Sequence, residues 1–230
     1  MLFRSDHADI YQTKAEYMEA FEQFKRQSQN LISDLDYIDS RITLSGSYRR
    51  KDATLALIAI EAILNEQNIH YNEQEIIKII NAFPGVGRRF ERLKDGIYSD
   101  YAHHPEEISA TLELAQEESK KLNKKGVIAV YEPHQNIRQH EVFDLYQDSF
   151  VNADKIFWLP TYLTREDETL KVIRPNDFIK TLKNSSSAIS AEKNEALLEA
   201  LKKYHQDGFL ILLMSAGLAD AWLRQNLHML

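Results

Sequence analysis

Gly85-Val86-Gly87-Arg88-Arg89-Phe90-Glu91, followed by Asp100-Tyr101-Ala102-His103-His104-Pro105, brings adjacent arginines, an aspartate and paired histidines into one short span of the chain. Between the two strings Asp95-Gly96 is a strong turn signal, so residues 91–94 and 96–100 read as the arms of a hairpin. Pro105 suits the first turn of a helix, with Glu106 and Glu107 beside its positive end. Arginine forks grip phosphate oxygens, a carboxylate accepts hydrogen bonds, and histidines titrate near neutrality. Singly, each residue reads as a turn or cap; together they read as a site for an anionic ligand.

Upstream, Tyr17, Phe21 and Phe24 recur at helical spacing after Thr13, which predicts an amphipathic helix over 13–30 with an aromatic stripe in the core. Asp34-Leu35-Asp36-Tyr37-Ile38-Asp39 and Arg41-Ile42-Thr43-Leu44 alternate as strands do. The nearly continuous apolar run over 53–64 predicts a buried helix, and Asn72 or Glu73 opens another that ends before Pro84-Gly85, where a domain boundary is expected. Downstream, strands at 127–131, 155–159, 188–189 and 209–214 alternate with helices at 138–151, 175–183 and 191–205, and a last helix follows. That alternation predicts a mostly parallel sheet covered on both faces, with ligands at the carboxyl ends of its strands. Tyr131 to Arg138 and Met214-Ser215-Ala216-Gly217 fall at such ends. Trp158 and Trp222 read as core or interface residues, and His205 and His228 as solvated.

With 230 residues, 43% of them hydrophobic, the chain can bury a proper core as one large or two small domains. The net charge is -7 with scattered Lys and Arg, so no footprint for nucleic acid is visible and any basic site is local. The chain has no cysteine, which excludes a disulfide scaffold, a thiolate metal site and a cysteine nucleophile, and fits a cytoplasmic location. Neither a signal peptide nor an apolar run long enough to span a bilayer is present, so no membrane partner is expected.

The two opening strings resemble the hinge and first hairpin of the C-terminal domain of Mur ligases, the ATP-dependent enzymes that add amino acids to the peptidoglycan precursor. The resemblance is strongest to the alanine-adding branch, whose Gly-Val-x-Arg-Arg-Phe-Glu and Asp-Tyr-Ala-His-His-Pro patterns are matched at every fixed position. A third match is Tyr131-Glu132-Pro133-His134-Gln135-Asn136-Ile137-Arg138, with its Pro-His pair and an arginine four residues on. The likeness runs over roughly residues 5 to 225.

The resemblance implies an α/β fold: a C-terminal Rossmann-like, mostly parallel sheet with an N-terminal hairpin over 85–230, preceded over 1–84 by a partial, largely helical remnant of the central ATPase domain. It also implies ATP and Mg2+ as cofactors of a complete enzyme, and UDP-N-acetylmuramate and L-alanine, or a related peptide, as substrates. By the same resemblance Arg88 and Arg89 would lie at the ATP phosphates, Asp100 at the ribose or a metal-linked water, and Tyr48 against the adenine. His103, His134 and Arg138 would face the incoming amino acid and the muramoyl carboxylate, with Tyr101 and His104 shaping the pocket. No metal ligand is assigned; His7 reads as a surface histidine.

Three departures temper what the chain does alone. No Gly-x-x-x-x-Gly-Lys-Ser/Thr occurs in it, although phosphoryl transfer of this kind depends on such a loop. The match begins at Asp6-His7-Ala8-Asp9-Ile10-Tyr11, a mid-domain string, so the UDP-binding domain and the phosphate-cradling half of the central domain are expected from a separate N-terminal half. Where the family carries Gly-Arg-His-Asn-Val-x-Asn-Ala, this chain has Gly46-Ser47-Tyr48-Arg49-Arg50-Lys51-Asp52-Ala53. Charge-assisted bonds contribute about 1.5–3 kcal/mol each, against an association cost of about 4–15 kcal/mol. The chain by itself is therefore expected to bind ATP weakly or not at all and to be inactive. Met214-Ser215-Ala216-Gly217 is closer to the murein-tripeptide recycling branch, whereas Pro133-His134 with Arg138 favours the alanine-adding one. The competing expectation is an inactive paralogue that serves as a binding or regulatory module.

Overall fold

In the computed structural model, residues 11, 13–33 and 37–230 are described. The Asp6 to Ile10 part of the match, His7 and Asp34-Leu35-Asp36 lie outside them. The chain divides into two compact units, Met1–Pro84 and Gly85–Leu230.

The first unit is helical. Helix α1 (Lys14–Gln27) starts at Thr13, whose hydroxyl accepts from Glu16 N while the Glu16 carboxylate accepts from Thr13 N, a reciprocal cap. Its aromatic stripe is not core: Phe21 is 42% and Phe24 62% exposed, and Tyr17 meets Phe21 edge-on at 5.1 Å. Helix α2 (Ser47–Glu66) buries only Ala53, Thr54 and Leu57, and Ile60 and Ile63 stay exposed, so the expected buried helix is covered on one side only. Helix α3 (Glu73–Asn81) is capped by Asn72.

No strand forms over 37–44. Asp39 instead accepts from the backbone N–H of Arg41 and pairs with its guanidinium, while Thr43 N donates to Asn81 Oδ1 and Asn81 Nδ2 donates to Arg41 O. Side-chain bonds, local from Asp39 and long-range from Asn81, take the backbone groups that a ladder would have used.

The second unit is a single sheet of six strands, β1 (Glu91–Lys94), β2 (Ile97–Asp100), β3 (Val127–Glu132), β4 (Lys155–Trp158), β5 (Ala188–Ser190) and β6 (Leu210–Ser215). The spatial order is β1-β2-β6-β3-β4-β5. Only the β1–β2 hairpin is antiparallel, turned at Gly96 with φ 68°, a left-handed conformation glycine adopts without steric cost. Helices α4 (Pro105–Lys121), α5 (Asn136–Val142), α6 (Pro175–Ile179), α7 (Glu195–Gln206) and α8 (Ala219–Asn226) make the crossovers and the last turn. The expected helix over 138–151 is shorter: it tightens into a 3-10 turn over Phe143–Tyr146, which seats Tyr146 in the core.

Strands β3 and β6 are buried along their whole length, as central parallel strands are. Successive residues serve opposite faces. Ile128, Val130, Phe157, Ile211 and Leu213 join α7 and α8 residues Leu197, Leu201 and Leu223 in one core, whereas Tyr131 and Trp158 meet Tyr146, Phe150 and Phe178 in an aromatic box. Trp222 flanks the first core. His205 departs from the solvated reading: its ring nitrogens face Asp95 O at 2.7 Å and Leu230 O at 3.2 Å. Because β6 lies between β2 and β3, the ends of those three strands open together at one edge of the sheet.

Candidate functional site

The connector entering β1 is held in an unusual backbone path. Gly85 has φ 92°, and Arg88 and Phe90 have φ 56° and 49°, a region that costs about 1–3 kcal/mol for each non-glycine residue. Arg88 N donates to Glu91 Oε2 at 2.8 Å, Phe90 N to Asp100 Oδ2 at 2.6 Å, and Tyr101 N to Arg88 O at 2.8 Å. The Phe90 ring stacks on Tyr98 at 4.6 Å. Net gains of about 0.5–1.5 kcal/mol per bond, larger where a carboxylate accepts, offset that strain.

Asp100 is 3% exposed, and its second oxygen accepts from Ala102 N at 2.7 Å. Burial pushes its carboxyl above the usual carboxylate range, outweighing the two N–H donors and Arg89. One oxygen thus ties the connector to the end of β2 and the other fixes the turn that follows it, both inside the fold.

The two arginines differ. Arg88 donates to Ser215 O at 2.6 Å and lies 3.7 Å from the Asp220 carboxylate, which also accepts from Ser99 Oγ and Arg224 Nε. Arg89 keeps 57% of its side chain exposed, 4.0 Å from Glu107. Both guanidinium groups lie over the Tyr101 ring, at 4.6 and 5.6 Å from its centre, where the ring face attracts cations.

From Tyr101 the cluster continues without a break. The His103 ring lies 5.4 Å from Tyr101, 4.4 Å from His104 and 6.0 Å from His134. His103 Nδ1 is 3.0 Å from Tyr101 O, and a carbonyl only accepts, so that nitrogen carries the proton. Glu107 accepts from both His103 N and His104 N and faces His103 Nδ1 at 3.3 Å. It is the acid three residues into α4, at the capping position.

His134 follows β3, in a segment whose Gln135 has φ 62°. Its Nδ1 lies 3.2 Å from Arg138 Nη1; a guanidinium only donates, so Nδ1 accepts and Nε2 holds the hydrogen. Burial first, then the charges of Arg138 and His103, lowers its pKa to about 4, so the ring is neutral at pH 7. Tyr162 stacks on it at 5.7 Å and 22°; this tyrosine had no signal in the sequence. Glu166 accepts from Asn136 N and Thr164 N, tying the loop after β4 to the start of α5.

Behind these groups Glu132 is fully buried, ion-paired with Lys193, and accepts from Ser215 Oγ at 2.7 Å and Ala219 N at 2.9 Å. The Met214 to Gly217 string therefore anchors β6 to β3. Arg88, Arg89, Asp100, Tyr101, His103, His104, His134 and Arg138 thus form one contiguous cluster at the strand ends, and Tyr48 stands in the first turn of α2, within the other unit. No group of three His, Asp or Glu able to hold a metal occurs among the described residues, nor is any described helix long and apolar enough to cross a membrane.

Arg89 thus presents an exposed guanidinium beside Tyr101, and neutral His134 lies against Arg138. The family profile described as Mur ligase, glutamate ligase domain matches residues 88–217, a span containing every member of it. The UDP-N-acetylmuramate--L-alanine ligase of Clostridium tetani is 33% identical over 181 residues, 77% of this chain and 38% of that protein. The Rickettsia felis protein of the same name is 35% identical over 144 residues, 60% of this chain and 30% of its own length. The chain thus spans less than two-fifths of these curated relatives. A solved UDP-N-acetylmuramate-alanine ligase from Thermotoga maritima shares the fold, with a TM-score of 0.68 at 17% identity over 98% of this chain and 57% of that one. A murein peptide ligase from Psychrobacter arcticus gives a TM-score of 0.52 at 24% identity over 81% and 38%. On the profile match across this cluster, the chain belongs to the Mur ligase family.

Proposed function

We propose that the chain is the amino-acid-side part of a UDP-N-acetylmuramate:L-alanine ligase, working with a polypeptide that supplies the P-loop and the UDP-binding domain. The reaction makes an amide in two steps: a carboxylate oxygen takes the γ-phosphoryl group of ATP and ADP leaves, then an amine nitrogen attacks the acyl carbon, loses a proton, and phosphate departs. Holding amine and acyl phosphate together is worth several kcal/mol of barrier, up to about 7–11 in well-oriented cases, and this is the contribution assigned to the chain.

The observation that carries the reading is the unbroken run from Arg89 through Tyr101 and His103 to His134 and Arg138. Arg89, the more exposed arginine, suits the phosphate end; Arg88 acts by holding the connector. Arg138 offers its guanidinium to a carboxylate, while His103 and His134 border the amine. Asp100 keeps Arg89 and Tyr101 in register through the connector rather than by direct contact. Tyr48 is the residue that would lie on the adenine, and His104 and Tyr101 shape the pocket wall. The phosphates fit Arg89 as one donor of several; Mg2+ finds no ligand set among the described residues and would be held by the part that bears the P-loop.

Incubating the chain with UDP-N-acetylmuramate, L-alanine and Mg-ATP, with and without a candidate N-terminal half, and measuring ADP release tests this. Turnover only with the added half is expected; turnover by the chain alone, or none with a competent half, overturns it. A second reading, an inactive binding or regulatory paralogue, is favoured by Tyr48, Arg49 and Asp52 replacing the family's adenine-side residues. It gains if UDP-N-acetylmuramate or L-alanine binds without any reconstituted turnover.

A further inference from the structure

A buried polar chain runs behind the histidines and is not used in the chemistry above. Tyr131 on β3, Gln139 on α5 and Tyr146 in the turn after it are each fully buried. The Tyr131 hydroxyl lies 3.2 Å from His103 O and 2.8 Å from the Tyr146 hydroxyl. Tyr146 donates to Gln139 Oε1 at 2.7 Å, and Gln139 Nε2 donates to His134 O at 3.1 Å. The main chains of His103 and His134 are thus bridged, through three buried side chains, by polar contacts of 2.7–3.2 Å.

Proton counting gives the chain a direction. The His134 carbonyl only accepts, so the Gln139 amide must turn its nitrogen to it and its oxygen to Tyr146. Tyr146 then spends its one proton on Gln139, which leaves Tyr131 a single proton to share between the oxygens of His103 and Tyr146. Burial raises both phenols above their ordinary range, so the protons stay in place. Trp158 lies 5.0 Å from the Tyr131 ring and 5.2 Å from that of Tyr146, which leaves the hydroxyls little room to swing.

The geometry points to Tyr131, Tyr146 and Gln139 as positioning residues that set the distance between His103 and His134, and with it the width of the amino-acid pocket. This rests on the reading of those histidines as substrate-facing. A closely packed buried polar network specifies one arrangement, whereas a broken one leaves neighbouring backbone free to shift.

The test is nuclear magnetic resonance of the histidine rings in the full chain, with Tyr146→Phe as the main variant and Phe150→Leu as a control that disturbs the same aromatic box without removing a polar atom. The ionisable groups facing His134 are Arg138, His103, Glu132, Glu166 and the stacked Tyr162, and none is altered by either change. In Tyr146→Phe the His134 titration midpoint is expected to rise by at least half a unit as the ring gains solvent, and the His103–His134 ring cross-peak to fall at least two-fold. Phe150→Leu should leave both unchanged. Should Tyr146→Phe fail to fold, Gln139→Met cuts the last link and carries the same expectation. A folded variant with both signals unchanged, or a control that moves them equally, overturns the inference. Neither signal involves nucleotide or turnover, so failure of the ligase reading is seen separately, in the ADP assay.

Discussion

The rings of His103 and His134 stand 6.0 Å apart and nearly perpendicular, at 72°, although one follows β2 and the other β3 with β6 between those strands. Parallel strands bring their carboxyl ends to one edge, and short connectors there place side chains that are far apart in sequence into one cluster. The electrostatic setting of the pair is asymmetric: Glu107 faces His103, whereas Arg138 faces His134. One imidazole thus sits beside an anion and the other beside a cation.

That asymmetry has a consequence for stability against pH. His134 has a folded-state pKa of about 4 against an ordinary value of 6.5. Folding favours its neutral form, so its contribution is intact above pH 6.5 and is lost as pH falls towards 4, where the unfolded chain binds a proton the folded chain refuses. Urea midpoints measured from pH 7 to pH 4 should fall, and His134→Gln should flatten that fall; an unchanged slope would show that other groups dominate.

Asp100→Asn replaces a carboxylate serving two backbone N–H groups with an amide that offers one acceptor and turns a donor on the second N–H. A loss of about 1–3 kcal/mol is expected from urea unfolding, together with loss of reconstituted ADP release because the Arg89 connector slips.

The neighbouring arginines should separate cleanly. Arg88→Ala leaves the Ser215 carbonyl without its guanidinium donor and removes a cation from Asp220, so about 1–3 kcal/mol of stability is lost. Arg89→Ala, on an exposed side chain, should alter stability within about 0.5 kcal/mol yet lower reconstituted turnover roughly ten-fold, equivalent to about 1.4 kcal/mol of barrier. Equal effects of the two on unfolding would refute the division of labour.

Much of this arrangement could be read from residues, for identifiable reasons. Asp95-Gly96 marks the hairpin because the turn needs a residue tolerant of positive φ, and the apolar runs at 127–131 and 209–214 mark strands covered on both faces. Ile60 and Ile63 misled because apolar composition reports what a helix can bury, not whether anything lies on it. The alternation at 37–44 misled because the side chains of Asp39, nearby, and Asn81, at the end of α3, satisfy that backbone in place of a neighbouring strand. Glu107 was legible as an acid at the positive end of α4 but not as the acid beside His103. Tyr162 carried no signal, since only the parallel bridge between His134 and Tyr162 brings it to the site.

That bridge makes the last expectation specific. Gly217 approaches the same place from the end of β6, and a Cβ added there would lie 2.5 Å from Glu132 Oε2 and 2.7 Å from Tyr162 Cβ. Glu132 cannot give way easily, being held by Lys193, Ser215 and Ala219, so Tyr162 must move, and it is the ring stacked on His134. Gly217→Ala should therefore cost about 1–3 kcal/mol through overpacking and also shift the His134 ring resonances, whereas an alanine accepted with neither change would mean that the β6 end and the Tyr162 loop are not in contact.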